Sequence, residues 1–572
     1  MKLLFLHLLV LCFALTGCHQ GAKNVDPPTK THRPITFTNI AHEAGIDFKH
    51  VNGGRGRKLM PETVGSGLAF FDYDNDGKLD LLIMNSTTWP GDPHPIKTTP
   101  KLYHNLGNGK FEDVTEKMGL AVTMYGMGVA VGDYDNDGFE DIYLTAVGPN
   151  FLFHNEGGKG FRNVTGESGT AGVPLPGTKL EHKWSSSAAW LDYDNDGKLD
   201  LFVCQYVKWS PDIDPYCGSK GVRGYCPPGN FEGARCTLFH NEGAGKFRDV
   251  SKEMGILDGA LGKSFGIAIA DYNGDGWLDI AVANDTWANF LFMNEGGKHF
   301  TDKGVESGIA FSMSGKAKAG MGIDVADFHN NGTLGLVIGN FAEEGLSLFE
   351  PMEGTTNMFE EKGQSRGLVA PSLSNVTFAT FFFDYNLDGW QDIFATNGHV
   401  DDIVNTYKSN LSFKQEPLLF ENKKGEKFVD VTHLSGISYK IVGRGAAYGD
   451  IDGDGDLDIG VVDNNGTFLL LRNDGGNQNN WIRLKLVGTK SNRDAIGALV
   501  SVTTGGLKQR RYVRSGGSFL SESERVLTFG LGSATTIDSV DIHWPSGAVE
   551  KLSQLRINTT STIIEGKGLE KT

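Results

Sequence analysis

The stretch Asp72-Tyr-Asp-Asn-Asp-Gly-Lys-Leu-Asp80 decides the fold. It carries carboxylates at positions one, three, five and nine and a glycine at position six, between two apolar runs. An apolar strand entering a tight polar turn and leaving as another apolar strand is a hairpin, and its alternating oxygens suit a cation that takes six to eight oxygen ligands at about 2.3–2.6 Å. An EF-hand is excluded, because position twelve is Ile83 rather than Glu and the flanks have β character.

Working outward, the same turn begins again at Asp133, Asp192, Asp271, Asp327, Asp384 and Asp450. The spacing is 56 to 66 residues, except for 79 between the third and fourth turns, where a segment with four cysteines is inserted. Each turn is followed by a strand of the type Leu-Tyr-His-Asn, as at Leu102, and then by a Phe-x-Asp-Val-Thr segment, as at Phe111. Four short strands per unit form one propeller blade. The seventh Phe segment lies at the other end of the chain, at Phe37-Thr-Asn-Ile40. The expectation is therefore an all-β, seven-bladed propeller over residues 35–476, closed by pairing of the Phe37 strand with the strand near Leu469.

Six turns have near-complete ligand sets for Ca2+. These are Asp72, Asp74, Asp76 and Asp80; Asp133, Asp135, Asp137 and Asp141; Asp192, Asp194, Asp196 and Asp200; Asp271, Asn273, Asp275 and Asp279; Asp384, Asn386, Asp388 and Asp392; and Asp450, Asp452, Asp454 and Asp458. Without a cation these carboxylates would repel one another, so about six structural calcium ions are expected. The fifth turn offers Asp327, His329, Asn331 and Gly335, and is expected to be metal-free or weak.

The first residues do not belong to the ring. Lys2, an apolar run too short to span a bilayer, and Leu15-Thr-Gly-Cys18 resemble a lipoprotein signal over 1–17, which implies lipid on Cys18 and a tether over 18–34. That places the chain outside the cytoplasm, on a bacterial membrane or cell surface. The remaining Cys204, Cys217, Cys226 and Cys236 then read as two disulfides in a 204–236 insert, with three pairings open. A formal charge of −17 argues against nucleic acid as a partner, although a dication would neutralise much of it.

The DxDxDGxxD turns resemble FG-GAP/VCBS repeats, related to those of integrin α propellers. Over 477–567, Trp481-Ile-Arg-Leu-Lys-Leu486, Asn492-Arg-Asp-Ala-Ile-Gly-Ala498 and Val540-Asp-Ile-His-Trp-Pro-Ser-Gly547 resemble the ASPIC/UnbV domain. The combination is similar to bacterial relatives of cartilage acidic protein, which implies extracellular calcium binding and adhesion or scaffolding. Read by its own pattern, this region is a small β-sandwich-like domain. Its Arg510, Arg511 and Arg514 read as a solvated strand face, the alternative being a basic patch that grips an acidic glycan or phosphate.

Because each Asp turn joins the first two strands of its blade, the variable loops gather on the opposite face. His182, Trp184, Asp285, Trp287, His399 and Arg444 are expected there as ligand-binding residues for an extracellular glycan or protein. No signature of a nucleophile or catalytic metal occurs, so no catalytic residue is assigned. The alternative is an exported lyase or hydrolase acting on a polysaccharide across that face.

Overall fold

The computed structural model describes residues 33–171, 184–219, 222–259, 261–553 and 555–570. The expected signal, the expected tether up to residue 32 and Cys18 lie outside the described residues. Among the described residues, no helix is long and apolar enough to cross a membrane.

Seven four-stranded antiparallel sheets form the blades. In blade 2, Gly126–Gly132, Asp141–Ala146, Phe151–Asn155 and Phe161–Asn163 run from the lumen outward. The two inner strands are buried throughout, whereas the outermost buries only Phe161. That gradient follows from face-to-face packing of neighbouring blades, which covers both sides of the inner strands. The inner strands pack neighbour to neighbour around all seven blades and back to the first. Closure is as expected: Thr36–Asn39 is the outer strand of blade 7, with Phe37 opposite Asn473 and Asn39 opposite Leu471.

The Asn that ends each Leu-Tyr-His-Asn strand explains its recurrence. Asn155 Nδ2 donates to Tyr73 O of the preceding blade's Asp turn at 2.9 Å and to Glu140 O of its own turn at 3.1 Å. Asn105, Asn241, Asn294, Asn422 and Asn473 repeat this clasp onto Ile451 O, Tyr134 O, Tyr193 O, Phe328 O and Tyr385 O. In blade 5 the position is Pro351, so the joint between blades 4 and 5 lacks the clasp. Asn155→Ala leaves two carbonyls without this donor and is expected to cost about 2 kcal/mol in denaturant unfolding. An unchanged midpoint would show that the clasp is incidental.

The C-terminal region folds as two four-stranded sheets. One has the order Leu527–Gly532, Asn480–Val487, Thr560–Ile564, Gly568–Leu569; the other Leu507–Tyr512, Leu499–Thr504, Ser539–His543, Val549–Leu552. Ile482, Leu484, Val500, Val502, Phe529, Val540 and Ile542 form a core continuous with blade residues Tyr134, Trp190 and Phe247.

From this domain residues 514–525 enter the lumen of the ring. Leu520 O accepts from Val129 N at 3.2 Å, Ser518 O from Ile323 N at 3.1 Å, and Glu522 N donates to Leu68 O at 2.9 Å. Phe519 is fully buried against Phe265 and Phe378, at ring distances of 5.2 and 5.1 Å. The lumen admits this plug because five residues before each turn stands Gly67, Gly128, Ser187, Gly266, Gly322, Ala379 or Gly445. A Cβ on Gly67 would lie 1.7 Å from Leu520 O.

The same interface corrects the expectation of a solvated arginine face. Arg514 Nη2 donates to buried Asp324 at 2.9 Å, Arg510 Nη1 to Gly332 O at 3.2 Å, and Arg511 lies near Asp384 and Asp327. Arg483 Nη1 likewise meets Asp450 at 2.8 Å, and Arg525 pairs with Glu140 and with Asp494. Alternation along a strand marks which residues share a face, but not what covers it.

Candidate functional site: the aspartate turns and the opposite pocket

Each turn needs two left-handed residues. In the first these are Asn75 at φ 58° and Gly77 at φ 86°, types that tolerate this region. The bend lets Asp72 accept from the amides of Asp76 and Gly77, both at 3.0 Å, and points the carboxylates inward. Asp80, at the start of the outgoing strand, is fully buried; it accepts from Tyr73 N at 3.2 Å and Asn105 N at 2.8 Å.

Carboxylate oxygens of Asp72, Asp74 and Asp80, and of Asp133, Asp135 and Asp137, lie within 4.8 Å of one another. Burial pushes Asp80 and Asp279 up to about 8 and Asp141 up to about 7, and holds Asp392 and Asp458 well above the usual carboxylate range. Buried carboxylates of one sign facing each other fit a hard cation that supplies the missing charge and prefers oxygen donors.

Two features of the turns escape the repeat pattern. In blades 1 to 3 the third-strand histidines His104, His154 and His240 place Nδ1 at 3.0, 3.1 and 3.1 Å from the position-nine aspartates. In blade 5 the polarity is exchanged: His329 stands at position three, and the third strand supplies Glu350. His329 Nε2 lies 3.3 Å from Glu350, which Arg366 also holds at 2.6 Å. This ion-paired cluster fills the place that carboxylates occupy elsewhere, and the fifth turn lacks the acidic ninth residue, which is Gly335.

On the opposite face a cavity of about 360 Å³ is walled by residues of blades 1, 3, 4, 5 and 6 and of the cysteine insert, among them Met60, Tyr206, Tyr225, Phe265, Met321, Phe341 and Phe378. Phe265 and Phe378 also touch Phe519, so the plug lies beneath its floor. Asp285, Glu344, His399 and Asp401 supply polar groups to the lining. His399 Nδ1 accepts from Asp401 N at 3.0 Å, which leaves the ring proton on Nε2. Burial lowers the His399 pKa to about 4, so it is a neutral donor.

Of the ligand-binding residues expected from the sequence, the fold thus brings together Asp285 and His399. Trp184 is 1% exposed and packs on Tyr206 and Trp209, and Arg444 is 0% exposed, with its guanidinium 3.8 Å from the Phe378 ring centre. Neither lines the cavity. Trp287 is 43% exposed outside it, near the Lys263 ammonium. His182 lies outside the described residues.

The cysteines require a correction. Cys217 and Cys226 are bonded, but Cys204 and Cys236 are buried thiols with sulfurs 3.7 Å apart. Cys204 lies in the second strand of blade 3 and Cys236 immediately before the third, where Cys236 Sγ is also within 3.4 Å of Ser264 Oγ.

Fold and turns together define a class: a seven-bladed propeller with aspartate hairpins on one face and a lumen plugged by its own C-terminal β domain. Sequence comparison gives the family terms. Residues 72–144, 230–282 and 271–338 match the FG-GAP-like repeat, and 488–570 match ASPIC and UnbV. The chain thus carries FG-GAP-like repeats and an ASPIC and UnbV region, and over most of its length it is similar to cartilage acidic protein 1. The Xenopus tropicalis protein is 24% identical over 505 residues, covering 86% of this chain and 71% of that protein. The human protein is 23% identical over 519 residues, covering 85% and 70%. Among solved structures, a rhamnogalacturonan lyase of Bacillus licheniformis aligns at TM-score 0.37 and 12% identity, covering 77% of this chain and 75% of that one.

Proposed function

We propose that the chain is an exported, lipid-anchored binding or adhesion module: calcium stiffens the aspartate face, and the opposite pocket holds an extracellular glycan or protein. The observation that carries this reading is the division of the ring into two faces. The plug and its arginines cover much of the aspartate side, while five blades and the insert build a floored cavity on the other. Homology to cartilage acidic protein 1 supports a binding role, and the Cys217–Cys226 bond supports an oxidising compartment. Anchoring through Cys18 rests on the signal-like sequence.

The test is a glycan and matrix-protein array probed with the full chain, with and without calcium. Retention of a ligand that Phe378→Ala abolishes is expected; no retention in either condition overturns the reading. Release of oligosaccharide from the array would favour the polysaccharide lyase or hydrolase instead.

A further inference from the structure

The polar groups of the opposite-face pocket are few and unevenly distributed. Asp285 and Glu344 converge on one residue: the backbone of Asp285 bridges to Ala319, whose amide donates to Glu344 Oε2 at 2.9 Å. Tyr206 Oη donates to Asp285 Oδ2 at 2.5 Å. Among the described residues, Asp285 Oδ1 makes no further hydrogen bond, the Phe341 backbone also helps to hold the Glu344 carboxylate, and neither carboxylate has a salt-bridge partner.

The nearby cations are engaged elsewhere. Lys263 Nζ donates to Pro228 O at 2.8 Å, Lys318 pairs with Glu361 at 2.5 Å, and Lys408 pairs with Glu343 at 2.9 Å. Two carboxylates therefore line the cavity without a direct ion pair, beside the aromatic walls Tyr206 and Phe265; the Lys263 and Lys318 charges are felt at Asp285 and Glu344, but both lysines bond elsewhere. A polyhydroxylated sugar would bury hydroxyls against these walls with few partners, at a cost for each. A long cationic side chain lays its methylenes on aromatic rings and delivers its charge to the carboxylates.

Resting on the proposed binding role of this pocket, we infer that it takes the ammonium or guanidinium end of a Lys or Arg side chain from a protein partner, held by Asp285 and Glu344. Arginine is the better fit where two carboxylates converge, because its planar fork can serve both.

The experiment titrates the calcium-loaded full chain with a short peptide carrying a single arginine between glycine flanks, its lysine and citrulline counterparts, and N-acetylglucosamine oligomers. The arginine peptide should bind at least about tenfold tighter than the nearly isosteric neutral citrulline peptide. Asp285→Asn and Glu344→Gln should each remove about tenfold. Glu344→Gln, on the less buried carboxylate, keeps the test decisive if Asp285→Asn melts early. Equal binding of the arginine and citrulline peptides overturns the inference. Glycan binding that Phe378→Ala abolishes but Glu344→Gln leaves intact also overturns it, while preserving the pocket's binding role; no binding by any probe overturns both.

Discussion

Stripping divalent cations is expected to lower the melting temperature by about 20 °C, with calcium restoring it. The estimate follows from linkage. A site filled at about a thousandfold over its Kd adds roughly 4 kcal/mol to the folded state. A chain of this length unfolds with an entropy of about 1.1 kcal/mol/K, so one site is worth roughly 4 °C and six worth about 20 °C. The physical source is the set of fully buried position-nine aspartates, Asp80, Asp141, Asp200, Asp279, Asp392 and Asp458. Without a cation each must be buried charged or protonated, and either costs free energy. Calorimetry with and without chelator, at fixed pH and ionic strength, decides it. A change below about 3 °C would mean that fewer than one site's worth of stabilisation is present, and the calcium reading would fall. Asp327→Ala in the fifth turn should leave the calcium stoichiometry unchanged, whereas Asp141→Ala should reduce it by one.

The second large effect belongs to the plug. Phe519→Ala removes a fully buried ring between Phe265 and Phe378 and is expected to cost about 3–5 kcal/mol. Gly67→Ala attacks the same segment from the wall, because its methyl would have to displace the Leu520 carbonyl. Overpacking of this kind costs about 1–3 kcal/mol or more. Since both act on one segment, their effects should be less than additive, and hydrogen exchange at 515–522 should accelerate in each. Additive losses with unchanged exchange there would show that the segment does not bear on the ring.

Sequence and structure agree where a repeated local rule governs. The aspartate turns are legible because a left-handed Gly and inward carboxylates are properties of nine residues, and the Phe37 strand because an orphan seventh copy must go somewhere. Residues whose role is set by distant packing are not legible in this way. Trp184 and Arg444 look like binding residues by type, yet they are core, because the insert and neighbouring blades cover them. Arg514 follows a strand that reads as solvated, and only docking against blade 5 gives it partners, Asp324 and Val325 O. One signal of the plug is present in the repeats: small residues at a fixed offset before every turn, from Gly67 to Gly445, make room for something in the lumen. Glu344 leaves no such trace, since a single acid in a loop resembles any solvated side chain.

The closing strand also sets a schedule for biogenesis. Thr36–Asn39 is among the earliest parts of the ring to be synthesised, yet its partner Leu469–Asp474 comes more than four hundred residues later. Until then the nascent chain holds an unmatched β edge that a chaperone must shield or that another molecule can capture. The ring thus cannot mature blade by blade to completion: its final joint waits for almost the whole polypeptide to emerge.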